Sequence, residues 1–313
     1  MRAISSVSVV IPVYNSALTL RELTRRLSVS FDQMGVTHEI IFVNDCSRDS
    51  SWNEIVALSS EYKSIRAINM MRNYGQHNAL LAGIRAAQHP MIVTIDDDLQ
   101  NPPEEISKLL AEVDEGFDVV YGTPVKEQHG LWRDLASQVT KLVLQGAMGA
   151  STASKVSAFR AFRTDLRKAF VDYHGPFVSI DVLLTWGTTH FTSVPVRHDP
   201  RHLGTSNYTL RKLVTHALNM MTGFSTLPLQ LASLIGFAFT AFGLGVLVYV
   251  LGRYFIQGGS VSGFPFLASV IAIFSGAQLF ALGIMGEYLA RMHFRMMDRP
   301  TYAIRDTLPH REE

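Results

Sequence analysis

Three consecutive carboxylates end an apolar run in the stretch VTIDDDLQNPPEEI, which covers residues 93–106. Asp96 and Asp98 are spaced i and i+2, so at the end of a strand their side chains lean to the same side. Their carboxylates, with the amide of Gln100 close by, offer the oxygen ligands that a hard divalent cation such as Mg²⁺ or Mn²⁺ prefers. A solvated turn that caps the next helix would show the same triplet, so the triplet alone leaves both interpretations open.

The residues after the triplet are typical of a helix start. Pro102 and Pro103 occur at this point, and proline fits the first turn of a helix. Glu104 and Glu105 follow, and acidic side chains are favoured near the positive end of a helix dipole. We therefore assign these two glutamates to the helix start and keep only the outer carboxylates of the triplet and the glutamine as candidates for chemistry.

The elements that must position these groups alternate regularly over the first 200 residues or so. Strand-like runs such as VSVVIPV and EIIFVND are separated by helical patterns such as LTLRELTRRLSVSF and QHNALLAGIRAA. This alternation predicts an α/β fold with a mostly parallel sheet and helices on both faces, and ligands bind such sheets at the carboxyl ends of the strands. Polar side chains follow the first four predicted strands at Tyr14 and Asn15, Asn44 and Asp45, Arg72 and Asn73, and Asp96 to Asp98.

Composition and motif content exclude several classes of protein. The formal charge of +1 gives no basic excess of the kind that nucleic-acid binders show. The single cysteine, Cys46, excludes an internal disulfide and a cysteine metal cluster, and it fits a reducing compartment. The glycine-rich phosphate loops GxGxxG and GxxxxGK[ST] do not occur in the sequence, so a bound phosphate would need another neutralising group, such as a cation.

A second part of the sequence is nearly free of charge. Between Leu213 and Gly286 the only Asp, Glu, Lys or Arg residue is Arg253. Two apolar runs, residues 227–251 and 264–285, are each long enough to cross a bilayer, which takes about 20 residues as helix. Two buried helices of a soluble protein are the alternative, but such helices normally keep a polar face. The pattern favours a two-helix transmembrane hairpin.

Basic residues flank this hairpin on both sides. They are Arg201, Arg211 and Lys212 before it, and Arg291, Arg295 and Arg299 after it. By the positive-inside rule, the α/β domain and both termini are predicted to be cytoplasmic in a multi-pass protein. The predicted division is an α/β domain at 1–208, a juxtamembrane amphipathic segment at 209–226, the two spans, and a cytoplasmic tail at 286–313. The amphipathic segment is either an interfacial helix or a helix packed on the catalytic domain.

Six motifs in order resemble those of family 2 glycosyltransferases of the polyprenyl-phosphate type. They are VVIPVYN, FVNDCSRDSS, RNYGQHNALLAG, DDDLQNPPEEI, SAFRAFR and RHLGTSNYTLRKL. The third and fourth are most similar to the branch that acts with 4-deoxy-4-formamido-L-arabinose. The resemblance spans nearly the whole chain and implies a GT-A fold, a nucleotide-sugar donor with UDP favoured, a divalent metal (Mg²⁺ or Mn²⁺), and undecaprenyl or another polyprenyl phosphate as acceptor. It also implies a bacterial inner-membrane location and a role in envelope glycan or lipopolysaccharide modification, and it is compatible with a homo-oligomer.

The resemblance also implies roles for individual residues. Asp98 and Gln100 would bind the metal, Asp96 would lie near the ribose and diphosphate, and Arg201 would close over the diphosphate. Asp97 is expected to be non-essential. The remaining positions that match substrate-binding motifs are Pro12, Tyr14, Asn15, Asp45, Arg72, Asn73, Gly75, Gln76 and Ser206, together with Arg133 and Ser137 for the lipid phosphate.

Several of these residues have simpler interpretations. Arg133 would also pair with acidic neighbours on a solvated helix, and Arg201 would also serve as a flanking positive charge. His77 is better interpreted as a packed or capping histidine than as a catalytic one. Asp181 lies in an apolar run, where a carboxylate needs a partner, and it is a weak candidate for contacting sugar hydroxyls.

Departures from the family pattern concern the sugar more than the reaction. Ser16 and Asn44 stand where acids are usual, and Asn207 stands where lysine is frequent; Lys126 would replace an arginine that is often found after the fifth strand. A processive polysaccharide synthase and an inactive membrane scaffold remain as alternatives. The first would normally carry a QxxRW motif and more spans, and the second gives no reason for Asp96 and Asp98 to coexist with Arg201.

Overall fold

A computed structural model describes residues 4–124, 156–175, 178–200, 226–257 and 263–308 of the chain. Eight strands in these residues form one sheet with the order β7-β5-β6-β4-β1-β2-β3-β8. The strands are β1 Ser6–Val13, β2 Thr37–Asn44, β3 Ile65–Met70, β4 Met91–Thr94, β5 Val119–Pro124, β6 Arg160–Arg163, β7 Phe191–Val196 and β8 Ile304–Leu308. Strands β1 to β4 run parallel to one another, whereas β6 and β8 run antiparallel to their neighbours. The predicted α/β class with a mostly parallel sheet is confirmed.

The described helices alternate with the strands as the sequence pattern predicts. They are α1 Ala17–Met34, α2 Ser51–Glu61, α3 Gln76–Ala86, α4 Ile106–Asp114, α5 Ile180–Thr185, α6 Leu227–Gln257 and α7 Phe264–Met296. A short 3-10 turn, Pro103–Glu105, leads directly into α4. The assignment of Glu104 and Glu105 to a helix start is therefore confirmed, and Glu104 also forms a two-bond ion pair with Arg26 of α1.

Strand β1 lies at the centre of the sheet and is buried on both faces. Its residues Val7 and Val9 pack into the core cluster that contains the inward leucines of α1, while Val10 packs into the opposite cluster with α3. Helix α3 approaches β1 so closely that a Cβ added at Gly83 would lie 2.3 Å from Cγ1 of Val10. A glycine is therefore required at this crossing, because any larger residue would push α3 away from the face of the sheet.

Strands β6, β7 and β8 were not predicted as strands. The largest departure concerns β8, because residues 286–313 were assigned to a tail after the second span. Instead, helix α7 continues to Met296, and Ile304–Leu308 pairs antiparallel with β3 as an edge strand of the catalytic sheet. The sequence-based division did not include this pairing with the catalytic sheet. The mostly exposed side chains of Ile304–Leu308 lack the apolar alternation that marks a strand in sequence.

Helices α6 and α7 form an apolar pair. Phe274 of α7 lies edge-on to Phe239 with ring centroids 5.6 Å apart, and it also packs against Gly243. Many apolar side chains point away from this contact, including Phe237, which is 76% exposed. Leu227–Ile256 and Ile273–Met296 are long and apolar enough to cross a membrane. The helices extend beyond the predicted spans at 227–251 and 264–285 at their carboxyl ends.

Candidate functional site

The carboxyl ends of β1 to β4 meet at one edge of the sheet, as expected for parallel neighbours. The loops that leave these ends carry most of the predicted site residues, and the structure brings them together there. Asn15, Cys46 and Leu99 occupy these loops with positive φ angles of 57°, 56° and 61°. Such conformations are uncommon for residues other than glycine and cluster at functional sites.

The loop after β4 holds the acidic triplet. The side-chain amide of Gln76, at the start of α3, donates a hydrogen bond of 2.7 Å to Oδ1 of Asp96. The backbone N–H of Gln100 donates to Oδ1 of Asp98 over 3.1 Å. Both outer carboxylates of the triplet are thus oriented by neighbours, and those neighbours are themselves predicted site residues.

The middle carboxylate has a position that sequence reasoning missed. Oδ2 of Asp97 accepts a hydrogen bond from the backbone N–H of Tyr14, 3.2 Å away, and this contact joins the loop after β4 to the loop after β1. Burial raises the pKa of Asp97 to about 6, against hydrogen bonds from Ser16 and Tyr14 that favour the ionised form. That Asp97 is dispensable for chemistry stays a prediction, but its carboxylate helps to position Tyr14.

The loop after β2 is joined to the loop after β1. The backbone N–H of Asn15 donates to Oγ of Ser47 over 3.0 Å, and the backbone N–H of Arg48 donates to Oδ1 of Asn15 over 2.7 Å. Pro12 lies in β1 and pairs with Val43, so it fixes the strand end rather than the loop. These reciprocal bonds hold the two loops as one unit along the edge of the sheet.

Asp45 anchors the turn that leads into α3. Its two carboxylate oxygens accept hydrogen bonds from the backbone N–H groups of Tyr74 and Gly75, at 2.7 and 2.8 Å. The side chain is buried, and burial raises its pKa although these two bonds favour the ionised form. In the same turn, the guanidinium carbon of Arg72 lies 4.5 Å from the centroid of the Tyr74 ring. Asp45 therefore holds the backbone of this turn in place.

Substitution of Gly75 by alanine tests how far the site depends on this turn. Gly75 has a φ of 91° and a ψ of 154°, a region that only glycine adopts readily, although a Cβ there would meet no atom within 4 Å. We expect Gly75→Ala to destabilise the fold by about 1–3 kcal/mol and to weaken binding at the strand ends. Thermal unfolding in detergent and UDP affinity in the presence of Mn²⁺ measure the two effects.

The matched control is Gly236→Ala in helix α6. An added Cβ there also meets open space, but Gly236 lies inside a helix and has no positive φ. Equal effects of the two substitutions on the catalytic domain would contradict the role of the Gly75 backbone.

Asp181 and His77 lie beneath this edge and have structural partners. Asp181 forms a buried ion pair with Arg160 and accepts a hydrogen bond of 3.1 Å from the Tyr121 hydroxyl. Burial, followed by the Asp181 charge, raises the pKa of Tyr121 well above its usual value, so its hydroxyl stays a donor. The partner that Asp181 needs is thus Arg160, and a sugar is not required to explain it. Nδ1 of His77 faces the backbone N–H of Ile180 at 3.4 Å, which fits its interpretation as a packed or capping residue.

The segment before Arg201 reaches the loop that follows the acidic triplet. The backbone N–H of Asp199 donates a hydrogen bond of 2.8 Å to the carbonyl of Gln100. Nδ1 of His198 lies 3.4 Å from Oδ1 of Asn101. The chain is therefore held against the loop after the triplet, two residues before Arg201. Arg201 itself and the predicted site residues Lys126, Arg133, Ser137 and Ser206 lie outside the described residues.

A doubly covered, mostly parallel sheet with an acidic triplet at its carboxyl edge defines a GT-A type of catalytic domain. The family model for glycosyl transferase family 2 matches residues 8–178, and the chain belongs to this family. It is 36% identical over 308 residues to the undecaprenyl-phosphate 4-deoxy-4-formamido-L-arabinose transferases of Salmonella paratyphi B and Salmonella newport, covering 97% of this chain and 94% of each relative.

Solved structures support the same fold. Glucosyl-3-phosphoglycerate synthase from Mycobacterium tuberculosis, in complex with Mn²⁺, UDP and phosphoglyceric acid, aligns with a TM-score of 0.52 at 18% sequence identity. The alignment covers 70% of this chain and 76% of that one. At this identity the likeness concerns the fold of the catalytic domain alone.

Proposed function

We propose that this glycosyltransferase moves one sugar from a UDP-sugar to the phosphate of undecaprenyl phosphate or a similar polyprenyl phosphate, with inversion at the anomeric carbon. The observation that carries the proposal is the acidic triplet at the carboxyl edge of the sheet, in a chain that also holds two exposed apolar helices. The relatives that match nearly the whole chain are named as undecaprenyl-phosphate formamido-arabinose transferases, which supports this acceptor and makes that sugar or a related one the first donor to test.

The residues at the triplet fit a divalent cation that binds together with the donor. Asp98 and Gln100 offer only oxygen ligands, which suit Mg²⁺ or Mn²⁺. Among the described residues, no group of three or more His, Cys, Asp and Glu side chains is arranged to hold a metal. Asp98 and Gln100 would hold the cation, and its charge would then be available to the phosphate oxygens of the donor. When bound, such a cation neutralises the diphosphate as a Lewis acid, and the Mn²⁺ and UDP in the M. tuberculosis complex support this choice.

The proposed reaction needs no protein base. A phosphate monoester with a second pKa near 6 is largely dianionic at neutral pH. One of its oxygens forms the new bond to the anomeric carbon, while the bond from that carbon to the diphosphate breaks and UDP leaves with the electron pair. Asp181 is paired with Arg160, which is consistent with a reaction in which Asp181 does not act as a base.

The chain's own contribution is to orient and neutralise two anions. We assign the edge of the sheet where β1 to β4 end to the nucleotide-sugar donor. The hydrogen-bonded loops after β1 and β2, together with the Tyr74–Gly75 turn, form this edge, and Gln76 holds Asp96 there. Holding both reactants in line supplies a large part of the rate. We assign Arg201, with Ser206 in the same loop, to the diphosphate, where a positive charge stabilises the leaving group. Arg133 and Ser137 are assigned to the lipid phosphate.

The connection of the helices supports a cytoplasmic catalytic domain in the bacterial inner membrane. Helix α6 follows the catalytic domain, and after α7 the chain returns to pair β8 with β3 of the same sheet. If the antiparallel pair crosses the bilayer twice, both of its ends and the sheet lie on one side. The basic residues that flank the hairpin support our assignment of that side to the cytoplasm.

Removal of divalent metal tests the proposal for the donor site. We expect EDTA to abolish transfer of sugar to undecaprenyl phosphate from a panel of UDP-sugars, and added Mn²⁺ or Mg²⁺ to restore it, because the diphosphate leaving group needs neutralisation. The lipid product is measured by extraction and mass spectrometry. Transfer that continues unchanged in EDTA would contradict the metal assignment, whereas the absence of any lipid product with metal present would contradict the proposed reaction.

A further inference from the structure

A line of side-chain hydrogen bonds connects strand β8 to the loop after β2. Nδ2 of Asn69 donates to Oδ2 of Asp306 over 3.3 Å, and Nδ2 of Asn44 donates to Oδ1 of Asn69 over 2.8 Å. Oδ1 of Asn44 in turn accepts from the backbone N–H of Ser47 over 3.2 Å. Oγ of Ser47 accepts a hydrogen bond from the backbone N–H of Asn15, so the line ends at the loop after β1. We call this line the Asp306 relay.

Burial and chemistry give the relay a fixed direction. Asn44 and Asn69 are only 2% and 6% exposed, so their amides depend on protein partners rather than on water. A carboxylate accepts but does not donate, so Asp306 turns the NH₂ group of Asn69 toward itself and the carbonyl oxygen of Asn69 toward Asn44. The same logic turns the oxygen of Asn44 toward the Ser47 N–H. One acceptor oxygen at the sheet edge therefore sets the orientation of both buried amides.

The backbone of the returning segment reinforces this connection. The N–H of Met71 donates to the carbonyl of Ala303 over 2.9 Å, and the guanidinium of Arg305 donates to the carbonyl of Met71 over 3.2 Å. The register of the β3–β8 pair shifts between Asn69 and Met70, next to the relay. The thiol of Cys46 lies 3.9 Å from the same Met71 carbonyl. The returning segment is thus connected to the loop after β2 through Asn69 and through the carbonyl of Met71.

We propose that β8, the strand that returns from the apolar hairpin, positions the donor-site loops through the Asp306 relay, so that Asp306 and Asn69 are positioning residues for the nucleotide. The proposal rests on the proposed function only where it assigns these loops to a UDP-sugar. It makes the segment after the helices part of the donor site, although Asp306 is 237 residues away from Asn69 in sequence.

The lone cysteine allows a test that does not depend on activity. Cys46 is partly exposed and lies between Asn44 and Ser47, so its labelling rate by a thiol reagent reports the order of this loop. We expect Asp306→Ala to raise the labelling rate by about three- to tenfold and to weaken UDP binding with Mn²⁺ by a similar factor, as expected for one lost hydrogen bond. Asn69→Ala is expected to act more strongly, because it removes the acceptor for the buried NH₂ group of Asn44.

Two further variants separate positioning from general destabilisation. Asp306→Asn keeps an acceptor oxygen for Asn69 and is expected to restore the wild-type labelling rate and UDP affinity. Thr307→Ala changes the next residue of β8, which is exposed and pairs with Ile68 through the backbone, and it should change neither quantity. Thermal unfolding of each variant shows whether the fold is intact.

The outcomes are distinct from those that concern the reaction. Unchanged Cys46 labelling in folded Asp306→Ala and Asn69→Ala would overturn the relay, as would an equal effect of Thr307→Ala. If labelling changes as expected but the wild-type protein binds no UDP, the relay stands and the assignment of these loops to a nucleotide fails.

Discussion

Replacement of Asp98 by asparagine is expected to lower kcat for sugar transfer by about 10²–10³-fold. The asparagine keeps the shape of the side chain and an oxygen that can accept the Gln100 N–H, so the loop after β4 should keep its conformation. It removes the negative charge that the proposed cation needs in order to stay at the diphosphate. The loss should therefore appear in kcat and in the Mn²⁺ concentration required for activity, with little change in thermal unfolding.

The matched control is the same change at the adjacent residue. Asp97→Asn also keeps an acceptor for the Tyr14 N–H, and we assign no cation to Asp97. We expect Asp97→Asn to change kcat by less than about threefold, because the Tyr14 N–H would donate to an amide oxygen instead of a carboxylate oxygen. Equal losses at the two positions would show that the triplet acts as one acidic cluster, and would contradict the assignment of the cation to Asp98.

Loss of Asp181 is expected to have the largest effect on stability. Its carboxylate pairs with Arg160, whose side chain is only 1% exposed, so Asp181→Ala leaves a buried guanidinium without its counter-charge. Breaking one partner of such a pair costs about 3–5 kcal/mol. Thermal or chemical unfolding in detergent measures this loss, and a poor yield of folded protein would be the extreme case.

A double substitution keeps this prediction testable if the single variant does not fold. Arg160→Met combined with Asp181→Leu removes both charges and is expected to recover much of the stability, because apolar side chains often replace a buried ion pair without loss. Transfer activity should then recover in part. A stable Asp181→Ala variant that fails only in sugar transfer would favour the earlier interpretation, in which Asp181 contacts sugar hydroxyls.

The parts of the fold that the sequence predicted are those with strong local signals. Strands β1 to β5 are apolar runs separated by clear helical patterns, and the long apolar helices lie in a region almost free of charge. Strand β8 has no such signal, because IRDTL is mostly polar and is held by backbone pairing to β3. Strand β6 carried a motif, SAFRAFR, but its strand character comes from its position between β4 and β5.

The candidate site shows the same division between local and long-range information. The triplet, Gln100 and the polar residues at the strand ends were visible because each follows an apolar run. Their partners were not, since Asp97 binds the Tyr14 backbone across 83 residues and Arg160 reaches Asp181 only through the sheet. Asp45 was predicted as a substrate-binding residue, and its hydrogen bonds connect it to the Tyr74–Gly75 turn, which contains another predicted residue.

The identity of the products tests the central claim most directly. Purified protein in detergent or nanodiscs is given Mn²⁺, undecaprenyl phosphate and a UDP-sugar, and both the lipid and the released nucleotide are identified by mass spectrometry. The account predicts a lipid that carries one sugar on its original phosphate, with one UDP released for each lipid formed. Release of UMP, growth of a ladder of several sugars, or equal transfer to undecaprenol without phosphate would contradict it.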